Sequence, residues 1–574
     1  MSNKPFPVSR SPRGEARPVP GMDASVRLTG FSFRDVRVIA VGCLALVTAL
    51  VYLPALRQEV VELDYSSWVR AVQPLGLKTL IEVFAYDGAR WKELGYFAPL
   101  TATSFMVDFY VGSVTGHQEA VHKLVNLLLH LVNTGLVLWL LRLLGFSDWV
   151  ALAVAAIFAL HPLQVSSLEW IPERKNLLMS SFFLSGLVLY CQYRNPVARK
   201  RRFSYYAGSF GCFVGALLCK PAAVVFGPCL ILTDALLLAR GSTGRSLLRS
   251  APFLILGLVW GAVAMKTELG ISEAPPLLDR LMLAPYQQAF LMVKFFVPAG
   301  LTLLYPHPDA DLFSWWWWVP ALGFVLCAAL MVRSAYSGVG RAAVWGLGFY
   351  TVNLVPASGI VPFSGMKELW VADHYQYLAI IGLGVAAVVA AERVTDRLSG
   401  RPRATVRGLA FATAMLLMCA FSHNQVWIWN GPESLWTHVV RINPGSAMGH
   451  LNYGSLLYEK GRFLDAEREF RKALSLNERY VEAYKVAHTL GLLSERRGAL
   501  DQAVQDLRKA LELNPRHGES HLELSRLLFN RGAFAESLAH CLQAEQCGTP
   551  CNRQGLEKLI AAESLRIMRE YVRQ

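Results

Sequence analysis

The stretch NLLMSSFFLSGLVLYCQYRNPVARKRRFSYYAGSFGCFVGALLC, residues 176–219, places two apolar runs on either side of a strongly basic loop. Each run approaches the roughly 20 apolar residues that a helix needs to cross the hydrocarbon core of a bilayer. The loop 194–202 carries five Lys or Arg and no acidic residue. This alternation predicts two membrane helices joined on the cytoplasmic side, where basic loops collect.

The same alternation extends over most of the chain. Its 574 residues are 53% hydrophobic and 17% charged, whereas soluble domains carry roughly a quarter charged residues. Besides 176–193 and 204–219, apolar runs occur at 38–56, 121–141, 149–161, 221–239, 251–266, 315–333, 343–357, 375–391 and 405–422. Segment 279–304 is interrupted by charges and by Pro298, which predicts a broken or re-entrant helix.

The basic loops set the expected orientation. The net charge of +14 comes largely from arginines in short loops, a pattern that indicates topology and not a nucleic-acid ligand. With the N-terminal tail 1–37 and the loops 194–202, 240–250, 333–341 and 393–407 in the cytoplasm, eleven crossings follow. The sequence therefore predicts a multi-pass inner-membrane domain over 38–424. The polar stretches 57–120, 162–175, 267–314 and 358–374 are then extracytoplasmic, as is the C-terminus.

The C-terminal part repeats itself. Gly461, Gly498 and Gly532 each precede a helix start, and we place Ala466, Ala503 and Ala535 at similar positions after them. The helix ends 473–477 and 510–515 match each other, and the offset of 34 or 37 residues fits tetratricopeptide helix pairs. We expect an α-solenoid over 434–546 that binds a protein in its groove or acts as a passive spacer, followed by a capping helix over 547–574.

Ten cysteines show no metal-ligand spacing. Cys541, Cys547 and Cys551 cluster at the end of the repeats. In an oxidising compartment a disulfide among them is one interpretation, and three unpaired cysteines are the other.

Polar residues in the outward segments are the candidate chemistry. Asp64 lies just beyond the first span and is a candidate general base, although loop acids are usually only solvated. Arg174, Lys175 and Lys220 are candidates to hold a phosphate, with snorkelling side chains at the lipid interface as the alternative for the first two. Further candidates are His161, Glu169, Glu173, Asp108, His122, Asp373, His374 and Tyr375.

An ordered series of motifs carries a resemblance to a known family. It comprises Pro99-Leu-Thr101, Asp108, the run from His122 to Thr134, His161-Pro162, Glu173-Arg-Lys175, Lys220-Pro221, Asp234, Tyr305-Pro306 and Asp373-x-Tyr375. The chain resembles bacterial tetratricopeptide membrane proteins related to the transmembrane-and-TPR O-mannosyltransferases of animals, in the GT-C glycosyltransferase superfamily. The resemblance implies an all-α GT-C-like membrane domain, a polyprenyl-phosphate sugar donor, and Asp64 as the catalytic acid of the first loop.

The chain also departs from the family pattern. Tyr65 follows Asp64 where a second acid is usual, and Ala98 replaces a His or Arg. Gln164 and Ser166 replace a His and a Glu, and His374 stands where an Arg is usual. These departures leave the sugar, the acceptor and any divalent metal undetermined, and no metal ligand is assigned.

Three functions follow from these observations. The first is a glycosyltransferase that moves a sugar from a lipid phosphate to a protein or glycan acceptor, with the repeats binding the acceptor or a partner. The second is a catalytically degenerate membrane scaffold that gathers partner proteins through its repeats. A transporter is disfavoured because the apolar segments show no inverted repeat.

Overall fold

The structure is a computed structural model. It describes residues 36–61, 63–85, 97–238, 243–268, 276–306, 340–361, 369–397, 401–477 and 483–573, with isolated positions between 91 and 94 and between 322 and 333. The tail 1–37 and the predicted span 315–333 lie almost entirely outside the described residues. Within the described ranges every regular element is a helix, so the prediction of an all-α chain is confirmed.

The described residues fall into two compact units: the second contains the chain from Pro432 onward together with residues 304–306, and the first contains the rest. The helices of the first unit are α1 (Val36–Tyr52), α2 (Tyr65–Val72), α3 (Leu77–Glu82), α4 (Pro99–Thr115), α5 (Gln118–Leu143), α6 (Asp148–Leu160), α7 (Val165–Glu169), α8 (Arg174–Arg194), α9 (Arg202–Leu217), α10 (Phe226–Leu236), α11 (Thr243–Glu268), α12 (Leu277–Phe296), α13 (Arg341–Leu354), α14 (Ile380–Thr395) and α15 (Arg401–Ile428).

The helices of the second unit follow in close succession. They are α16, assigned from Gly431 to Ile442, and then α17 (Ala447–Glu459), α18 (Phe463–Leu476), α19 (Ala483–Arg496), α20 (Leu500–Leu513), α21 (Gly518–Asn530), α22 (Phe534–Gln546) and α23 (Arg553–Arg573).

Within the described ranges, four helices are long and apolar enough to cross a bilayer. They are Val38–Arg57, Gln118–Leu143, Gly244–Met265 and Pro402–Ile428, and each overlaps a predicted span. A fifth crossing is counted if the bent pair Asp148–Leu160 and Pro162–Glu169 is one span. The chain is therefore a membrane protein, and the tally of eleven crossings stays a prediction.

The structure shows a helix break that the sequence analysis did not predict, a bend of 50° between α6 and the Pro162–Glu169 segment. In the segment 279–304, residues 277–296 form one helix that continues through Pro285 and ends before Pro298, and its re-entrant course stays a prediction. His161 and Pro162 cause the bend after α6, since Pro162 has no backbone N–H to continue the α6 ladder.

Helix α5 carries its polar residues inward and its apolar residues outward. His130 and Asn133, about one turn apart, are fully buried, while Leu128 and Val132 are 51% and 54% exposed. His130 Nδ1 lies 2.8 Å from the Tyr377 hydroxyl, and Asn133 Nδ2 donates to the same oxygen at 3.1 Å. This inverted arrangement suits a lipid-facing helix, since polar groups at membrane depth must find protein partners.

Helices α13 and α14 meet through two glycines. A Cβ added at Gly382 would collide with the Gly346 carbonyl oxygen and would lie 2.7 Å from the Tyr350 backbone nitrogen. The two backbones therefore touch directly, as small residues allow at helix crossings in membranes.

The second unit consists of antiparallel helix pairs. Gly461, Gly498 and Gly532 have φ of 75°, 80° and 77° and end the first helix of each pair in the left-handed conformation. Ala466 and Ala503, five residues later, are completely buried. The prediction for Ala535 was wrong by two positions, because the buried equivalent is Ser537 and Ala535 is exposed.

A disulfide closes the last helix pair. It joins Cys541 in α22 to Cys551, with a Cα–Cα distance of 5.8 Å, while Cys547 is free. Of the two interpretations left open by the sequence, the structure therefore favours one bridge.

Replacing Gly382 by Ala is expected to destabilise the membrane unit. The added methyl group meets backbone atoms, which cannot rotate away, so the cost should be about 1–3 kcal/mol. Thermal unfolding of the purified protein in detergent measures this change. Gly135→Ala in α5 is the matched control, since an added Cβ there meets nothing within 4 Å. Equal melting temperatures for the two variants would contradict the close contact.

Candidate active site

A buried carboxylate, Glu173, is the centre of a charged cluster. Its side chain is 1% exposed, and its Oε1 lies 3.1 Å from Lys175 Nζ and 3.8 Å from His374 Nε2. Its Oε2 lies 3.7 Å from Lys220 Nζ. A buried carboxylate needs such partners to stay ionised, so the two lysines and Glu173 form one electrostatic unit.

Breaks between helices bring these residues together. Glu173 ends a short 3-10 turn immediately before α8. Lys220 lies in the break between α9 and the turn Pro221–Val225, and His374 lies in the turn Asp373–Gln376 before α14. All are at helix ends, where the backbone leaves regular structure and charged side chains can converge.

The electrostatics of the cluster hold Glu173 ionised. Burial alone would raise the pKa of Glu173, but His374, Lys175 and Lys220 together lower it below its usual range. Burial lowers the pKa of His374 to about 4, and Lys220 and Lys175 act in the same direction, against Glu173. His374 is therefore neutral at pH 7, where Lys175 and Lys220 are the charges that keep Glu173 ionised.

Asp64 borders this cluster from the first loop. It lies immediately before α2, and its Oδ2 is 3.8 Å from Lys175 Nζ, so that lysine is shared by Asp64 and Glu173. The side chain of Asp64 is 37% exposed and can be reached from outside the protein. Partial burial raises the pKa of Asp64, while Lys175 and a hydrogen bond from Trp170 oppose the rise. A raised pKa makes a carboxylate a stronger base.

The sequence analysis missed Trp170. Its indole Nε1–H donates to Asp64 Oδ1 at 2.8 Å, and its ring packs edge-on against His374 at 5.1 Å. Lys175 Nζ lies 5.6 Å from the centre of the same ring. Trp170 therefore orients the carboxylate and joins Asp64 to the rest of the cluster. An aromatic residue in a short loop between charged candidates was the available signal.

Asn176 was missed as well. Its Oδ1 accepts from Lys220 Nζ at 2.8 Å, and its Nδ2 donates to Glu173 Oε2 at 2.6 Å and to the His374 carbonyl at 2.9 Å. One amide thus fixes the relative positions of three predicted site residues.

Arg174 lies in a different, fully buried cluster. Its guanidinium contacts Asp108 Oδ2 at 2.8 Å and the His122 carbonyl at 2.8 Å, and its Nε donates to Asn126. His122 Nδ1 also lies 3.0 Å from Asp108 Oδ2. The structure therefore favours a structural role for Arg174 in place of the predicted phosphate contact, because its donors are used inside the protein.

His161 and Glu169 lie outside the Asp64–Glu173 cluster too. His161 caps the break after α6, with Nε2 2.9 Å from the Phe295 carbonyl and its ring stacked on Phe295. Glu169 is buried near Lys123, and neither of its carboxylate oxygens has a hydrogen-bond partner in the described part of the chain. Glu169 thus does not substitute in this cluster for the acid that the family pattern carries.

Asp373 and Tyr375 flank His374 in the same turn. Asp373 is buried and interacts electrostatically with Lys294. The Tyr375 hydroxyl donates to the Leu369 carbonyl at 3.2 Å, and its ring packs edge-on against His374 at 4.8 Å. Both residues support the turn that positions His374. Among the residues the structure describes, no three His, Cys, Asp or Glu side chains are grouped as metal ligands.

Comparisons with known proteins found matches to the repeats and to a larger part of the chain. Tetratricopeptide-repeat families match residues 449–480 and 488–550, which confirms the predicted repeats. The mouse protein O-mannosyl-transferase TMTC1 is 26% identical over 230 residues, 38% of this chain and 24% of that protein. Human TMTC1 is 23% identical over 69% of this chain and 49% of its own, and human TMTC4 is 24% identical over 65% and 57%.

These matches show that the chain is homologous to the TMTC protein O-mannosyl-transferases and carries tetratricopeptide repeats. The chain spans between 24% and 57% of the length of these three relatives. The activity in the names of these relatives is therefore a statement about them.

Acidification is expected to destabilise the membrane unit through His374. Since its folded pKa of about 4 lies below the ordinary 6.5, the unfolded chain binds more protons between these values. The contribution of His374 to stability is therefore complete above pH 6.5 and is lost as the pH falls toward 4. Between pH 7 and pH 5 the loss should be about 2 kcal/mol.

Thermal unfolding in detergent from pH 7 to pH 5 measures this loss. The variant His374→Asn should lose less stability than the wild type over this range, and His117→Asn, at an exposed histidine, is the control. Glu173 does not interfere, because a carboxyl group with a lowered pKa loses its contribution only below its ordinary value of 4.5. Parallel pH profiles for His374→Asn and the wild type would contradict the assignment.

Proposed function

We propose that this chain is a membrane glycosyltransferase that moves a sugar from a polyprenyl-phosphate donor to a protein or glycan acceptor. The observation that carries the proposal is the convergence of three separate segments, in which Asp64 approaches Lys175 and Glu173 contacts both Lys175 and Lys220. Homology to named protein O-mannosyl-transferases supports the class of reaction.

The proposed reaction is an inverting displacement. Asp64 takes the proton of the acceptor hydroxyl or amide, and the acceptor atom attacks the anomeric carbon of the sugar. The bond between that carbon and the phosphate oxygen breaks, and the phosphate leaves with the electron pair. Lys175 and Lys220 neutralise its growing negative charge, as positioned cations do in a site with little water.

Glu173, Asn176 and Trp170 act as positioning residues in this scheme. Glu173 and Asn176 hold Lys220 from two sides, and Trp170 fixes one oxygen of Asp64 while the other faces Lys175. Fixed geometry matters because catalytic groups displaced by about 1 Å lose much of their effect.

We further propose that the transfer occurs on the extracytoplasmic face of the inner membrane and that the repeats bind the acceptor or a partner. The bridge between Cys541 and Cys551 supports this orientation, since disulfides persist in oxidising compartments. The basic loops, which predict a cytoplasmic N-terminus, support it independently.

A non-catalytic scaffold is the second candidate function. The observation in its favour is that both lysines already share one carboxylate, Glu173, and that Arg174 is committed to Asp108. A scaffold would keep this cluster for stability alone and would use the repeats to gather partners.

Asp64→Asn is expected to abolish transfer, lowering kcat by at least about 100-fold because the general base is lost. Sugar incorporation into proteins and glycans of a deletion strain that carries the variant measures the effect. Asp501→Asn makes the same chemical change at a repeat carboxylate whose side chain is 94% exposed, and should leave transfer unchanged. Full transfer by a folded Asp64→Asn protein would show that Asp64 is not the base. If deleting the protein changes no acceptor, the scaffold is the function.

Lys220→Gln is expected to lower kcat/KM for the lipid-phosphate donor by about 100-fold or more, because one stabilising charge at the leaving phosphate is removed. The same transfer assay measures it, with Lys472→Gln on the exposed surface of the repeats as the control. Unchanged kcat/KM in a folded Lys220→Gln protein would remove this residue from the donor site.

A further inference from the structure

A second charged surface lies at the C-terminal end of α8, the end opposite the Glu173 cluster. Helix α8 begins next to Glu173 and ends at Arg194 after 21 residues, a length of about 30 Å. This matches the thickness of the hydrocarbon core of a bilayer. Because α8 contains the predicted span 176–193, the sequence analysis puts its two ends at the two membrane surfaces.

A buried carboxylate ties the helix ends together at this far end. Asp234 in α10 accepts from Arg194 Nε at 2.7 Å and from the Tyr190 hydroxyl at 2.9 Å, and Arg249 Nη1 lies 3.5 Å from it. The Tyr206 hydroxyl in α9 also donates to the Arg249 carbonyl at 2.8 Å. The ends of α8 and α10 and the starts of α9 and α11 thus form one framework.

More positive than negative charge lies around this framework. The sequence stretches 194–203 and 240–250, next to these helix ends, contain eight Lys or Arg and no acidic residue, and the side chain of nearby Asp234 is inaccessible to solvent. Lys200, Arg201 and Arg245 are exposed on the outside of the framework. We call the surface formed by Val197, residues 200–203, Arg245, Leu247 and Leu248 the basic end.

Large apolar side chains are exposed among these cations. Val197 and Phe203 are 83% and 84% exposed, and Leu248 in the next helix is 76% exposed. A soluble polyanion would leave these side chains in water. A bilayer surface accepts both groups, because apolar side chains enter the acyl boundary while cations meet the headgroups.

We propose that the basic end binds the headgroups of anionic phospholipids in the adjacent leaflet. Arginines hold the phosphate by paired hydrogen bonds and Lys200 acts as a point charge, while Phe203 and Leu248 insert beside the acyl chains. The lipid would reinforce the framework around Asp234 from outside. This inference does not depend on the proposed transferase activity.

The test compares lipid binding by the full-length wild-type protein and by the variant Lys200→Gln/Arg201→Gln/Arg245→Gln. Each protein in neutral detergent is titrated with phosphatidylglycerol, and the melting temperature and native mass spectra report binding. Each cation near an anionic surface contributes about 1 kcal/mol. The triple variant should therefore bind phosphatidylglycerol about 100-fold more weakly.

The controls separate the sources of binding. The variant Arg441→Gln/Lys472→Gln/Arg516→Gln removes the same charge from exposed repeat positions and should bind like the wild type. Phosphatidylcholine and inorganic phosphate should each bind far more weakly than phosphatidylglycerol, and added salt should weaken binding of the anionic lipid by the wild type. Four outcomes would each overturn the proposal. Three concern the wild type: equal binding of the two lipids, an equal response to free phosphate, or binding that added salt does not weaken. The fourth is wild-type affinity in the triple variant. If the triple variant does not fold, the salt and lipid comparisons on the wild type decide.

Discussion

The membrane unit depends on keeping one carboxylate ionised inside the protein. Glu173 is almost completely buried, and isolating it there would cost several kcal/mol. The cost is met only if Lys175 and Lys220 arrive from different segments and Asn176 completes the hydrogen bonding. The same requirement that stabilises the fold therefore places Lys175 beside Asp64 and Lys220 beside Glu173, which supports the leaving-group site of the proposed reaction.

Uncharged polar side chains inside the membrane unit also need partners. Along α5, Asn126, His130 and Asn133 each reach a backbone carbonyl of a neighbouring segment, at 168, 159 and 177. These contacts hold α5 against α6, α7 and α8 and give its polar side chains the partners they would lack in lipid. Polar residues inside this unit are thus chiefly structural, and the exposed carboxylate of Asp64 differs from them in facing outward.

The sequence predicted the repeats well because each helix pair is a local unit whose turn needs a glycine. It also identified Asp64, Lys175, Lys220 and His374, which the fold brings together. It could not separate Arg174 from Lys175, since successive residues on a helix point about 100° apart and only the tertiary neighbours decide which one faces the site. Trp170 and Asn176 were missed for a related reason: neither side chain carries charge, and the contacts that join them to Asp64, Lys220 and His374 link residues distant in sequence.

The contact between Gly346 and Gly382 affects how variants of this protein should be interpreted. Helix α14 begins six residues after His374, and it touches α13 through backbone atoms that no rotamer change can relieve. A displacement of α14 along its axis would thus move His374 as well. If a variant on the outer face of α13 or α14 loses turnover in the proposed reaction, the loss would reflect a shift of His374 and would not identify a residue that contacts the sugar.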